Sequence, residues 1–261
     1  MNLGSPVAAF FDVDNTLIRG ASIYHFARGL AARNFLGPAD IARMTLRHLS
    51  FRLHGTEDLS QVDAVRAAAL AFVSGRRVED LVRLGEEIYS ETMASRIWEG
   101  TRDLTQRHLA AGEQVWLVTA TPVELAQILA RELGLTGALG TIAEIEDGVY
   151  TGRLVGGLLH KEAKATAIRA LAELEGLDLA RCTAYSDSAN DLPMLSLVGY
   201  PNVVNPDRRL RAVAERRGWP VHEFRSGRRA TTIVFLAAAG AGAIAGGAAA
   251  GVAIRRRRLS A

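Results

Sequence analysis

The sequence predicts an α/β protein built on a doubly wound parallel sheet, and three observations carry that prediction. Short apolar runs alternate with helical stretches along the chain. The runs end in polar residues at their C-terminal tips, as in VAAFF before Asp12, VWLVTATP at 115–122 and CTAYSD ending at Asp187. With 261 residues, the chain is long enough for one such domain carrying an insert. Strands that alternate with helices pair in parallel, and a site forms at their carboxyl edge.

Taken in order, VAAFF at 7–11 reads as a buried strand ending at Asp12. Residues 21–100 read as helical, in amphipathic stretches broken at Gly37, Gly55, Gly75 and Gly100, and no strand-like run interrupts them. TRDLTQRHLAAG (101–112) is one more helix, stopped at Gly112. After the strand at 115–122, PVELAQILARELG opens a helix with Pro122 and Glu124 in its first turn. IAEIEDGVYTGRLVG (142–156) places a turn at Asp147-Gly148 between β-prone flanks, a hairpin pattern. KEAKATAIRALAELEG is a helix, CTAYSD the third strand, SANDLPMLSLVG a short helix, NVVNPD the end of a fourth strand, and RRLRAVAERRG a last helix. Residues 21–100 break the strand–helix alternation. The expected organisation is therefore a core formed by 1–20 and 101–225, a helical cap insert at 21–100, and a separate C-terminal segment at 226–261.

Charge is unevenly placed. Residues 226–261 hold six arginines and no acid, leaving 25 basic against 28 acidic residues in 1–225. A nucleic-acid binder carries its basic patch on the folded body, so no nucleic-acid partner is expected. One cysteine, Cys182, excludes an intrachain disulfide framework and a cysteine-rich zinc site. The chain has 29 arginines but two lysines, Lys161 and Lys164. Lysine is a compact ammonium point charge that a planar guanidinium replaces poorly in a tight site.

The chemistry concentrates at the strand tips. In FFDVDNTLIRG, Asp12 and Asp14 follow a buried strand, and two carboxylates at that spacing can converge on one metal ion. Side-chain oxygens with a backbone carbonyl form a hard set suited to Mg²⁺. TAYSDSANDLPML supplies Asp187 at another strand tip, with Asn190 and Asp191 one helical turn on. Thr119, in LVTATP, lies between strand and helix, where a hydroxyl and helix N-terminal amides cradle phosphate oxygens. Acids, metal, hydroxyl and ammonium together suit phosphoryl transfer, which depends on positioning and charge neutralisation.

DVDNT, the strand ending in Thr119, HKEAKATAIRAL and SDSANDLPML, in that order over residues 7–207, resemble the four motifs of the haloacid dehalogenase (HAD) superfamily, in the phosphoserine phosphatase-like branch of its subfamily IB. The resemblance implies a HAD-like Rossmannoid core and a Mg²⁺-dependent phosphatase acting on a phosphate monoester, either a small metabolite or a lipid headgroup. It implies that Asp12 is the nucleophile that becomes an aspartyl-phosphate, and that Asp14 protonates the leaving oxygen and then activates water. It also implies a Mg²⁺ site from Asp12, the Asp14 carbonyl and Asp187, supported by Asn190 and Asp191. Thr119 would bind the transferring phosphoryl group, and Lys164, rather than Lys161, would neutralise charge beside it. The branch carries a cap glutamate for the substrate amine. Here that stretch is LIRGASIYHF, with Ala21 and Ser22 and no acid, which points away from a free amino-acid phosphate. A phosphotransferase using the same intermediate, or a membrane-bound regulatory protein with a vestigial site, are the alternatives.

The tail carries a further expectation. TTIVFLAAAGAGAIAGGAAAGVAI (231–254) is 24 uncharged residues flanked by arginines. As a helix it would span about 36 Å, against a bilayer core of roughly 30 Å. It reads as a C-terminal transmembrane helix, with Gly242, Gly246, Gly247 and Gly251 spaced for homodimer contact. MNLGSPVAAFFDVD has no signal-peptide pattern, so the expectation is a single-pass membrane protein with a cytoplasmic catalytic domain.

Overall fold

The computed structural model describes residues 6–33 and 73–225. In chain order the elements are β1 (Ala8–Phe11), α1 (Ser22–Ala32), α2 (Val78–Ile88), α3 (Glu99–Ala110), β2 (Gln114–Pro122), α4 (Val123–Glu132), β3 (Gly137–Thr141), β4 (Ala143–Glu146), β5 (Val149–Leu154), α5 (Glu162–Glu175), β6 (Thr183–Ser186), α6 (Leu192–Leu195), β7 (Tyr200–Val204), α7 (Arg208–Arg217) and β8 (Val221–His222). A π-turn at Tyr89–Met93 and a 3₁₀ turn at Ala94–Arg96 continue α2 toward α3.

Six strands form one parallel sheet in the order β3-β2-β1-β6-β7-β8. β1 lies inside it and is buried at every position. Ala9 and Phe11 pack into one core cluster, with α1, α2 and α4, while Ala8 and Phe10 pack into the other, with α5 and α7. A strand apolar on both faces belongs in the middle of a parallel sheet covered by helices on each side. Phe11 stacks on Tyr185 of β6 at 4.3 Å between ring centroids, a contact worth about 1 kcal/mol beyond its area. α2 turns Leu81, Leu84 and Ile88 inward, one helical face of 3.6-residue period.

Main-chain bonds tie the helical residues between β1 and α3 to the rest of the chain along two seams. Arg19 N–H donates to the Arg96 carbonyl and Trp98 N–H to that of Leu17, so the outgoing and returning connections run side by side. The antiparallel pair β4–β5 supplies the second seam. It turns at Asp147 and Gly148, both at positive φ, as a two-residue hairpin requires. Residues 75–78 pair along β5, with Gly75 N–H on the Tyr150 carbonyl and Val78 N–H on that of Gly148.

Besides the edge strand β8, which has no signal in the sequence, β3 and Gly100 differ from the sequence expectation. β3, GALGT, carries one large apolar side chain and no aromatic residue, so it gives no strand signal; its place is set by pairing with β2. Gly100, expected to break a helix, lies inside α3, where a Cβ would meet the Phe224 ring at 2.3 Å. Its role is close approach.

The expectation of a single-pass membrane protein with a cytoplasmic catalytic domain is corrected. Among the described residues no helix is long and apolar enough to cross a membrane. The 14-residue α5 reaches about 21 Å, short of a bilayer core of roughly 30 Å. Residues 231–254, with Gly242, Gly246, Gly247 and Gly251, lie outside the described residues, so neither the span nor the glycine-mediated homodimer stands on the structure.

Gly140 in β3 admits the backbone of the turn that follows β2. A Cβ there would lie 2.6 Å from Val123 Cα and 2.8 Å from the Thr121 carbonyl oxygen, both main-chain atoms that cannot swing away. Gly140→Ala should lower stability by about 2–3 kcal/mol, read as a lower urea midpoint at unchanged slope.

Candidate active site

The carboxyl ends of β1, β2 and β6 meet at one place because their registers align. Phe11 is paired with Leu117 and with Tyr185. Asp12 follows directly, its N–H donating to the Tyr185 carbonyl at 3.0 Å, while Thr119 and Asp187 each come two residues past those partners. Three sequence-distant polar tips are therefore delivered to one edge.

Lys164 reaches this edge from the first turn of α5. Its Nζ donates to Asp12 Oδ1 at 2.6 Å and to Asp191 Oδ2 at 2.8 Å, with all three residues buried. Charge-assisted bonds of this length are the strong class. Asp191 Oδ2 also accepts from the Ser186 hydroxyl at 2.8 Å. Thr16 Oγ1 donates to Asp12 Oδ2 at 3.0 Å and lies 3.4 Å from Asp187 Oδ1, joining the two strand tips. Asp207 clamps the loop after β6: its N–H donates to the Asp187 carbonyl, its Oδ2 accepts from Ala189 N–H, and its Oδ1 caps α7 through Leu210 N–H.

Asp14 is half-buried and makes different contacts. Its Oδ1 accepts from Ser22 N–H at 2.8 Å and from Ser22 Oγ at 2.5 Å, at the start of α1. Thr119 is buried, its hydroxyl donating to Thr121 Oγ1 at 3.1 Å. The structure thus gathers Asp12, Lys164, Asp187 and Asp191 into one bonded cluster. Among the described residues, Asn190 joins it through no side-chain hydrogen bond; its backbone N–H bonds Ser188 Oγ. Lys161 stands at positive φ just before α5, and its three-residue offset leaves Lys164 as the lysine that bonds Asp12.

The electrostatics follow from burial. Asp12 is pushed well above the ordinary carboxylate range, first by desolvation; the Lys164 ammonium opposes this, and Asp191 and Asp14 add to it. Asp187 is raised by burial and then by the Asp12 and Asp191 charges. Burial alone would lower Lys164, but Asp12 and Asp191 reverse that and hold it above its usual value. Three buried carboxylates thus face one ammonium, and the surplus of negative charge is what a bound divalent cation would offset. Among the described residues, no three His, Cys, Asp or Glu side chains group as a metal site. A site of two carboxylates and a main-chain carbonyl needs only Asp12, Asp187 and Asp14, and that hard-oxygen set fits Mg²⁺.

The motif residues were legible in the sequence, but their bonded partners were not. Thr16 and Asp207 lie within DVDNT and NVVNPD, and Ser22 stands in LIRGASIYHF, where composition and spacing alone do not mark them as partners of the acids. Thr16 had one available signal, its position four residues after Asp12.

An acid-rich, ammonium-bridged cluster at the carboxyl edge of a doubly wound sheet suits the handling of a phosphoryl group. The chain belongs to the haloacid dehalogenase-like hydrolase family, which residues 9–196 match. Within it, the protein is a phosphatase, a phosphoric monoester hydrolase. It is similar to phosphoserine phosphatase SerB1 of Mycobacterium tuberculosis, 58% identical over 250 residues that cover 96% of this chain and 81% of that one. Among solved structures, a Bordetella pertussis Tohama I protein of unknown function matches with a TM-score of 0.76 at 30% identity, covering 85% of this chain and 100% of the other. A phospho-aspartyl intermediate analogue of phosphoserine phosphatase matches with a TM-score of 0.55 at 20% identity over 80% of this chain and 91% of the other, a likeness of fold.

Because Asp12 and Asp187 bind protons more tightly in the folded chain than in the unfolded one, the stability tied to those protons is present at low pH. It is lost as pH rises through the raised values. With chelator present, the thermal midpoint should fall between about pH 5 and pH 8, and Mg²⁺ should raise it most at the upper end. Unfolding scans with and without Mg²⁺ across that range measure both slopes.

Proposed function

We propose that this phosphatase hydrolyses a small phosphate monoester through a covalent intermediate on Asp12, and that the Lys164 bridge from Asp12 to Asp191 is the observation that carries the reading. A carboxylate that must attack phosphorus has to be ionised, oriented and shielded from the negative phosphoryl oxygens. Lys164 favours the ionised form of Asp12, and Thr16 fixes its second oxygen. Asp12 attacks phosphorus as the ester P–O bond breaks, and Asp14 gives its proton to the leaving alcohol oxygen. Asp14 then takes a proton from the water that attacks the acyl phosphate, which releases inorganic phosphate and restores Asp12. The Thr119 hydroxyl turns to a phosphoryl oxygen, and Lys164 neutralises charge beside it.

Asp12, Asp187 and the Asp14 main-chain carbonyl would hold Mg²⁺, with Asp191 and Asn190 behind them. When bound, the ion supplies charge neutralisation on the transferring group. The helical residues following β1 act in this reading as a cap over the carboxyl edge, excluding competing water.

O-phosphoserine is the first substrate candidate, on the strength of the relative named phosphoserine phosphatase at 58% identity. Ala21 and Ser22 favour a second candidate class, alcohol phosphates without an ammonium group. Ala21 carries no charge and the Ser22 hydroxyl is committed to Asp14.

Asp12→Asn should abolish phosphate release from O-phosphoserine and from 4-nitrophenyl phosphate. Acid quenching of wild type with ³²P-labelled substrate should leave label on the Asp12 peptide, absent from the variant, and chelation should remove activity that Mg²⁺ restores. Turnover retained by Asp12→Asn would overturn the mechanism. The ratio of kcat/KM for phosphoserine to that for glycerol phosphate decides between the two substrate classes.

A further inference from the structure

Asp14 is tied to Thr119 through two hydroxyls that the reaction as described does not use. Ser22, the first residue of α1, donates to Asp14 Oδ1 with both its N–H and its hydroxyl. Its Oγ lies 2.6 Å from Thr121 Oγ1, and Thr121 Oγ1 lies 3.1 Å from Thr119 Oγ1. Thr121 N–H donates back to Thr119 Oγ1 at 3.2 Å, closing the turn after β2.

A hydroxyl has one proton to give, and this fixes the direction of every bond in the chain. Ser22 gives its proton to the carboxylate, so it accepts from Thr121. Thr121 has then given its own proton away, so it accepts from Thr119. The chain therefore runs one way, from Thr119 through Thr121 and Ser22 to Asp14.

The surroundings offer these hydroxyls little else. Ser22, Thr119 and Thr121 are at most 4% exposed. Ser22 and Thr121 border a cavity of about 10 Å³, lined otherwise by apolar side chains of α1 and α4, by Gly85 of α2 and by Tyr89 and Met93. That is at the lower limit for one water. A buried hydroxyl that loses its partner there pays the desolvation cost with no substitute.

We propose that Ser22 and Thr121 are positioning residues for Asp14. By occupying Oδ1 twice, Ser22 leaves Oδ2 as the oxygen turned toward the leaving group, and Thr121 holds the Ser22 hydroxyl in the rotamer that does this. The device ties the first turn of α1 and the turn after β2 to one carboxylate, so Asp14 is aligned when α1 is docked on β2. It also makes the alignment depend on what lies at Thr119, because a Thr119 hydroxyl turned toward a phosphoryl oxygen no longer donates to Thr121. The inference rests on Asp14 being the group that protonates the leaving oxygen.

The test separates substrates by their need for that proton. Phenyl phosphate has a poorer leaving group than 4-nitrophenyl phosphate, whose phenolate departs without help. Ser22→Ala should lower kcat/KM for phenyl phosphate about ten-fold and that for 4-nitrophenyl phosphate less than about three-fold, a fraction of what complete loss of a general acid costs. Thr121→Val, which leaves both Ser22 donors in place, should show the same selectivity to a smaller degree, and Ser22→Thr should restore the wild-type ratio. Asp14→Asn is the reference and should show the largest selective loss. If Asp14→Asn shows no selectivity between the two substrates, the assignment of Asp14 fails and the inference falls with it. If Asp14→Asn is selective while Ser22→Ala and Thr121→Val lose both activities in equal proportion, with or without their folding transition, or lose neither, the positioning role alone is overturned.

Discussion

Lys164 stands in the first turn of a helix, where the exposed N–H groups and the dipole disfavour a cation, and burial disfavours it again. It remains charged there because Asp12 and Asp191 each accept a hydrogen bond from its ammonium. That three-centre contact joins the tip of β1, the first turn of α5 and the loop after β6, which come from widely separated parts of the sequence. Each partner is otherwise costly: two buried carboxylates without the ammonium, or the ammonium without them, would be uncompensated charges. The arrangement is therefore held as a set, and the site it forms is fixed by the same bonds that dock α5 on the sheet.

Around that centre the polar groups are satisfied by short side chains. Thr16 connects Asp12 to Asp187, Ser186 supports Asp191, and Asp207 grips the loop that carries Asp187 while capping α7. None of these needs a long or flexible side chain, so little rotamer entropy is lost in holding them. The Asp14 branch is built differently. Its contacts belong to α1, so its alignment follows the helical residues outside the sheet.

The fold was legible wherever the sequence combined apolar runs with polar tips, which covers β1, β2, β6 and the end of β7. β3 was not, because GALGT carries little apolar surface and its strand conformation comes from pairing with β2. Asp12 and Asp14 were legible as a pair of acids at a strand tip, and the two lysines by their rarity, whereas Asp187 and Asp191 read equally well as helix caps and Lys164 was separated from Lys161 only by the resemblance to the family. Ser22, Thr16 and Thr121 were not legible as site partners: hydroxyls near helix starts and turns are common caps, and only spatial neighbours show which acceptor each one serves. Gly100 illustrates the same limit. A glycine that makes room for a ring and one that ends a helix are identical on paper.

The pairing of residues 75–78 along β5 has a consequence for how the helical residues are held. Those main-chain bonds bind the segment that leads into α2 to a hairpin whose strands are separate from the six-stranded sheet, although Ala143 and Tyr150 pack into the core on one of its faces. The connections at Leu17–Arg19 and Arg96–Trp98 are paired with each other, whereas the segment at 75–78 is paired with the hairpin. α2 is thereby held at two places, by main-chain pairing to the hairpin at its start and by packing on α4 along its length, where Gly85 lies against Leu125 and Ile128. The hairpin thus works as a bracket for the returning segment, and its short strands serve the helical residues and not the main sheet.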